Sequence, residues 1–135
     1  PGSNLASITY NPWFSTNYIF YAKDDNVIRH NLSNGDEQVV YTAPTGYTVS
    51  VIKFRTEDSE SNSTMSSNFG DLGLYLSIGM NKDNNGAVAE IKLTPAADVD
   101  ESYSVFCDKD SEGNAFGRIL DVQFAHVWSF IKDNQ

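Results

Sequence analysis

The sequence predicts an all-β protein of antiparallel strands, and three observations lead to this prediction. No window of a dozen residues places apolar side chains at i, i+3, i+4 and i+7, as an amphipathic helix would. The apolar residues form short runs separated by clusters of Asn, Asp, Gly and Ser, which is typical of strands joined by turns. Finally, a six-residue motif recurs at positions 5–10, 49–54 and 119–124.

The repeated motif has an aliphatic residue first, Ile or Val fourth, a polar residue fifth and an aromatic residue sixth. We interpret each copy as the first strand of a repeated unit. The first unit is expected over about residues 5–48. Its four strands are predicted at 5–10, 18–22, 27–32 and 37–42. Asn34-Gly35 predicts a tight hairpin between the last two strands, with positive φ at both central residues.

The second unit is expected over about residues 49–118 on the same plan. Its strands are predicted at 49–54, 74–78, 87–93 and 103–106, with turns or loops at 81–86, 94–100 and 108–117. The polar stretch 55–71 is interpreted as a long surface loop. A partial third unit, about 119–135, begins with the last copy of the motif and adds a further strand at 127–131.

Two architectures suit this strand order. The aromatic residues of the first two motif copies are 44 residues apart, close to the 40–50 residues typical of a propeller blade. The second spacing is 70 residues, and a single β-sandwich is the alternative. Two blades and a fraction cannot close a ring. The propeller interpretation therefore expects a piece of a longer chain, with its edges covered by missing upstream blades or by a second copy.

Composition restricts the classes of function. The 135 residues are 40% hydrophobic and 13% aromatic, enough for the core of one domain. The net charge of -9 opposes binding to nucleic acid and to anionic membranes, although solubility alone would also explain it. No run approaches the roughly 18 apolar residues of a membrane span. The single cysteine, Cys107, excludes an intramolecular disulfide.

The first unit resembles a known family. Residues 18–41 read as a hydrophobic strand, a polar turn and a strand that ends in Asn31-Leu32-x-x-Gly35. This run is similar to blades in the C-terminal parts of PKD-like-family surface lipoproteins of gut bacteria, and residues 117–122 resemble the end of those domains. The resemblance implies a non-enzymatic, surface-attached module outside the cytoplasm that forms the C-terminal piece of a longer protein. We expect it in the bacterial periplasm or at the cell surface, with a protein or glycan partner.

A calcium site is one candidate. Asp108, Asp110 and Glu112 alternate ahead of a glycine, as at the start of a calcium-binding loop, and carboxylate oxygens are the ligands calcium prefers. The twelfth position is Ile119 instead of the Glu of an EF-hand. The loop at 81–86 has a similar pattern. Ordinary turn chemistry explains both loops equally well, and no other cofactor is expected.

Aromatic residues near predicted loops are the candidate ligand-binding residues. Exposed aromatic rings can stack on sugars or anchor a protein partner, although they could instead cover the edges of the sheets. The candidates are Trp13, Phe14, Tyr47 and Trp128. Trp13 is preferred because a proline precedes it and polar residues follow it.

Motifs for catalysis are missing from the sequence. It has no nucleophile elbow, phosphate loop or dinucleotide fingerprint. His30 and His126 stand apart from any ligand spacing, and Cys107 is interpreted as a structural thiol. We therefore expect a non-catalytic binding module. The alternative is an extracellular glycoside hydrolase whose acid pair lies among the loop carboxylates, because glycosidases need two carboxyl groups across a cleft.

Overall fold

A computed structural model describes residues 5–9, 17–54 and 75–122. Every regular element in this part of the chain is a strand. The strands are β1 (Leu5–Thr9), β2 (Tyr18–Lys23), β3 (Asn26–Asn31), β4 (Glu37–Thr42), β5 (Thr48–Phe54), β6 (Tyr75–Lys82), β7 (Asn85–Leu93) and β8 (Val99–Cys107). The described residues contain no helix that could span a membrane.

The strands form two antiparallel sheets of four strands each. The first sheet has the order β1-β2-β3-β4 and the second has the order β5-β6-β7-β8. Within each sheet every strand pairs with its neighbours in sequence. Short polar turns favour such local hairpins between β2 and β3 and between β6 and β7. This arrangement confirms the all-β prediction and the two four-stranded units. It fits both blade-like units and a two-sheet sandwich.

The hydrophobic core lies between the two sheets. Alternate side chains of each strand point to this inner side, as the two-residue period of a strand dictates. The rings of Phe20 on β2 and Phe54 on β5 meet edge to face, with centroids 5.1 Å apart. β5 packs against β1, where the backbone N–H of Ile52 donates to the Ser7 hydroxyl over 3.2 Å. The first two copies of the motif therefore lie side by side.

Arg29 joins the sheets at one end. Its guanidinium donates to the backbone oxygen of Ala97 (2.7 Å) and to Asp98 Oδ1 (3.1 Å) in the loop between β7 and β8. It also donates to Gln38 on β4 and lies 4.9 Å from the centre of the Tyr18 ring. Ala97 is fully buried and has a φ of 68°, so the loop holds a strained backbone position that presents this carbonyl to Arg29.

The predicted strand ends in the second unit were wrong in two places. β6 continues through Asn81 and Lys82, and the turn is only Asp83-Asn84 instead of residues 81–86. β8 begins at Val99, so the loop predicted at 94–100 is shorter. Polar side chains suggested loops here. A strand that forms a sheet surface can carry them on its outer side as long as its backbone pairs.

The hairpin at Asn34-Gly35 also differs from the prediction. Only Gly35 has positive φ, at 79°, and the backbone N–H of Asn31 donates to Asp36 O over 2.8 Å. The connection is therefore a four-residue loop instead of a two-residue turn. The side chain of Asn31 accepts from the N–H of Ser33 over 2.8 Å, and this local bond competes with the tighter turn.

The third unit is described only in part. Residues 119–122, the first four positions of the last motif copy, form no strand, although a strand was predicted there. Residues 123–135, with the strand predicted at 127–131, lie outside the described residues, as does the stretch 55–71.

Candidate interaction surfaces

Each sheet has an inner face toward the core and an outer face away from it. A chain segment covers part of the second sheet's outer face. This segment comprises residues 116–122. Its first residue, Phe116, accepts a hydrogen bond at its backbone oxygen from the N–H of Gly86 on β7 over 3.1 Å. Glycines at two sheet positions make room for it. A Cβ on Gly86 would lie 2.5 Å from Gly117 O, and one on Gly79 would lie 2.7 Å from Ile119 Cγ2.

The buried side chain of Asn81 holds the 116–122 segment in place. Its Oδ1 accepts from the N–H of Ile119 over 2.6 Å, and its Nδ2 donates to Ile119 O over 2.9 Å. The side-chain amide thus makes both hydrogen bonds that a neighbouring strand would make. Ser50 on β5 also donates to Ile119 O. The last motif copy lies beside the second copy in this way, although it forms no strand there.

The outer face of the first sheet carries a row of apolar side chains that crosses all four strands. Ile8, Tyr21, Ile28 and Val39 are successive partners in the strand register. We call these four residues the Ile8 row. Ile8 is 66% exposed and Val39 48% exposed at the two ends, whereas Ile28 in the middle is 8% exposed. The exposed apolar residues at the two ends of the row make this face a candidate contact surface.

A polar cluster lies beside the Ile8 row. Glu37 Oε2 accepts from the Tyr21 hydroxyl over 2.6 Å and lies 2.8 Å from His30 Nδ1. Burial raises the pKa of Tyr21 from 10.0 to about 12, with further contributions from the hydrogen bond to Glu37 and from its charge. The hydrogen bond from Tyr21, followed by that with His30, lowers the pKa of Glu37. The cluster therefore holds a carboxylate and a neutral phenol together at neutral pH.

Tyr47 is the one predicted aromatic ligand residue within the described ranges. It is partly buried against the core. Its ring meets Phe106 edge to face at 5.9 Å, and Lys82 Nζ lies 5.9 Å from its centre. Tyr47 therefore covers the inner face of the second sheet near the edge strand β8, which is the alternative role that the sequence left open. Trp13, Phe14 and Trp128 lie outside the described residues.

The acidic loop of the calcium hypothesis follows β8. Asp110 Oδ1 accepts from the N–H groups of Glu112 and Asn114, each over 2.9 Å. These bonds, with Asn114 first, lower the pKa of Asp110. The backbone oxygen of Asp108 accepts from the backbone N–H of Phe116. The carboxylate of Asp110 thus stabilises the turn by accepting backbone N–H groups within it. Calcium binding by this loop stays a prediction.

Chemically, the described residues offer contact surfaces and hydrogen-bonding groups. In the part of the chain that the structure describes, no three His, Cys, Asp or Glu side chains are arranged to hold a metal ion. Cys107 ends β8 as a free thiol, with its Sγ 3.1 Å from Lys109 O. The carboxylates at 24–25 occupy the turn between β2 and β3. His126 and the carboxylates at 57–58 lie outside the described residues.

Sequence reasoning missed the Ile8 row and the role of Asn81. The signal for the row was the unbroken apolar run of β2 and the adjacent Val27-Ile28 of β3, which place apolar side chains on both faces of the sheet. The sequence alone does not show that Ile8 and Val39 lie in one row, because this depends on the strand register. Asn81 gave no signal, because its partner Ile119 is 38 residues away and a side chain that binds backbone leaves no sequence pattern.

The chain was compared with family models, curated proteins and solved structures, and none of the three comparisons found a match.

Proposed function

We propose that this chain is a non-catalytic interaction module that binds a protein or a glycan. The supporting observation is the Ile8 row. A sheet face that only meets water usually carries polar side chains, whereas this one exposes Ile8 and Val39 in line with Tyr21. Desolvation of such a row stabilises a complex, at about 25 cal/mol per Å² of apolar surface removed from water.

The proposed setting is extracytoplasmic, in the periplasm or on the surface of a bacterium. The resemblance of residues 18–41 and 117–122 to blades of PKD-like-family surface lipoproteins supports this setting. The loop aromatics Trp13 and Tyr47 and the exposed edge strands are the further contact regions in this proposal, with calcium at the Asp108–Glu112 loop as its one candidate ion.

The test asks whether the chain binds without changing its ligand. The purified chain is applied to a glycan array and, separately, incubated with the same glycans in solution while reducing sugar is measured. We expect bound glycans to remain intact, and Trp13→Ala to weaken their binding. Release of reducing sugar that a single Asp or Glu substitution abolishes would overturn the proposal in favour of a glycoside hydrolase.

A further inference from the structure

We infer that Asn34 is a site of spontaneous deamidation, at which the folded chain converts a neutral amide into a carboxylate, and that the fold protects Asn85 from the same reaction. The inference goes beyond the proposed function and does not depend on it. It is carried by the two Asn-Gly pairs of the sequence, Asn34-Gly35 and Asn85-Gly86, which lie in opposite environments.

The reaction is an attack within the chain. The backbone nitrogen of the residue after Asn loses its proton and bonds to the side-chain Cγ, and the amide nitrogen takes up that proton and leaves as ammonia. The product is a succinimide ring. Water then opens the ring at either of its two carbonyl groups, which gives aspartate or isoaspartate. Glycine is the most favourable following residue, because it has no Cβ to hinder the nitrogen and restricts the backbone least.

Asn34 lies in the loop between β3 and β4, where the chain is open to water. Both Asn34 and Gly35 are exposed, and a Cβ on Gly35 would meet no atom within 4 Å. The N–H of Asp36 donates to Asn34 Oδ1 over 2.9 Å. This hydrogen bond polarises the side-chain carbonyl that the Gly35 nitrogen attacks, and it stabilises the negative charge that develops on the oxygen.

One hydrogen bond restrains the attacking nitrogen. The N–H of Gly35 donates to Asn31 O over 2.8 Å, and this bond must open before the nitrogen can reach Cγ of Asn34. It lies within an exposed loop, where local opening costs little free energy. The ring can therefore close without unfolding β3 or β4.

Asn85 has the same following residue in a rigid setting. It begins β7, and Gly86 is buried and pairs with β6. The N–H of Gly86 donates to Phe116 O over 3.1 Å, and a Cβ on Gly86 would lie 2.5 Å from Gly117 O. Ring closure at Asn85 requires the strand to leave its pairing and the 116–122 segment to move. It therefore waits for a much larger opening of the fold.

The product changes the loop that joins β3 to β4. Each event adds one negative charge to a chain whose net charge is -9. Isoaspartate also inserts an extra carbon into the backbone of a loop that the hydrogen bond from Asn31 N–H to Asp36 O closes. We expect the longer backbone to weaken this hairpin and to lower the melting temperature of an aged sample.

The experiment is storage of the full chain in mildly alkaline buffer at body temperature over several weeks. Samples are digested, and mass spectrometry follows the conversion of amide to acid in the peptide that contains each Asn-Gly pair. We expect Asn34 to react at least about tenfold faster than Asn85 in the folded chain, because a surface loop opens far more readily than a paired strand. In concentrated urea both sites should react at similar rates, since glycine follows each.

Asn34→Ser is the matched control variant. Its hydroxyl can still accept the N–H of Asp36, but it has no amide to lose, and circular dichroism checks its fold. In isoelectric focusing, the wild type should gain a more acidic form that the variant lacks.

Four results would overturn the inference. They are equal rates at Asn34 and Asn85 in the folded chain, an Asn34 that stays intact for as long as it takes to react in urea, the same acidic form in Asn34→Ser, and aspartate without isoaspartate. The last result would replace ring closure by direct hydrolysis of the amide.

Discussion

Adding one methyl group at Gly86 should detach the 116–122 segment from the second sheet. The Cβ of Gly86→Ala would lie 2.5 Å from Gly117 O and 2.5 Å from Ile119 Cγ1, with the Ile119 N–H nitrogen at 3.0 Å. Real Cβ contacts are not this short, and two of the three atoms belong to the backbone. A change of side-chain rotamer therefore cannot relieve the collision, and the segment itself must move.

The expected cost follows from these contacts. Overpacking a well-filled site costs typically about 1–3 kcal/mol. Movement of Ile119 would also lengthen its two hydrogen bonds to Asn81, each worth about 1 kcal/mol. The lower entropy of an unfolded chain with Ala in place of Gly offsets about 0.4–1 kcal/mol. We expect Gly86→Ala to lower the free energy of unfolding by about 3 kcal/mol.

The assay is urea unfolding followed by circular dichroism, with two further glycines for comparison. Gly79→Ala would meet Ile119 Cγ2 and Val51 Cγ1 at 2.7 Å. These are side-chain tips that can shift, so we expect a smaller cost of about 1–2 kcal/mol. Gly117→Ala meets no atom within 4 Å and serves as the control, with an expected change near zero or slightly stabilising.

A double-mutant cycle locates the effect. Asn81→Asp places an oxygen where Nδ2 donates to Ile119 O over 2.9 Å, so a buried charge faces a carbonyl at a cost of about 2–3 kcal/mol. Because both substitutions release Ile119, the double variant should lose less stability than the sum of the losses in the two single variants. A Gly86→Ala protein as stable as the Gly117→Ala control, or fully additive costs, would refute the reasoning.

Three further predictions concern the first sheet. Arg29→Met should lower the free energy of unfolding by about 2 kcal/mol in urea unfolding, because the buried carbonyl of Ala97 loses its donor; a wild-type value would contradict this. Glu37→Gln should lower the pKa of Tyr21 part of the way from about 12 toward 10.0 in an ultraviolet absorbance titration, because burial, the largest cause, remains; an unchanged titration would remove Glu37 as a cause. Gly35→Ala should cost about 1 kcal/mol through its φ of 79° alone, whereas no cost would mean that the loop rearranges freely.

The pH dependence of stability follows from the same pair. The pKa of Tyr21 is raised in the folded protein, so its contribution is fully present below pH 10.0 and is lost as the pH rises toward about 12. The pKa of Glu37 is lowered, so its contribution is present above the pKa of the unfolded chain and is lost as the pH falls through the folded value. In Glu37→Gln, unfolding curves across pH should lose the contribution of Glu37 at low pH and keep the part of the Tyr21 contribution that burial causes.

Much of the fold was predictable from the sequence because strands and turns are local. The strand at 37–42 was predicted with the observed bounds, and that at 18–22 was one residue short. Alternating apolar residues between turn-forming clusters fix such elements. The ends of β6 and β8 were not predictable in this way, because backbone pairing extends both strands through polar stretches. Asn81 pairs with the distant Thr48, and Val99 pairs with Leu93 across a short loop.

The candidate surfaces depended on tertiary structure. A one-residue bulge at Val40 on β4, opposite Val27 and Ile28, sets which side chains of β4 face outward, because a single-residue shift moves side chains to the other face. Only the register brings Ile8 into line with Val39. The predicted ligand residues were chosen as aromatic residues in or beside loops, and this criterion does not tell a partly buried ring such as Tyr47 from an exposed one.

The repeated motif separates what the sequence determines from what the tertiary structure determines. By itself the sequence determined that the chain is all-β, that its strands pair with their neighbours in two four-stranded units and that a third motif copy follows. Only the tertiary structure decided that the described part of this copy, residues 119–122, lies against the second sheet without forming a strand. The physical reason is the amide of Asn81, which meets the backbone of Ile119 with the hydrogen bonds that a strand would otherwise supply.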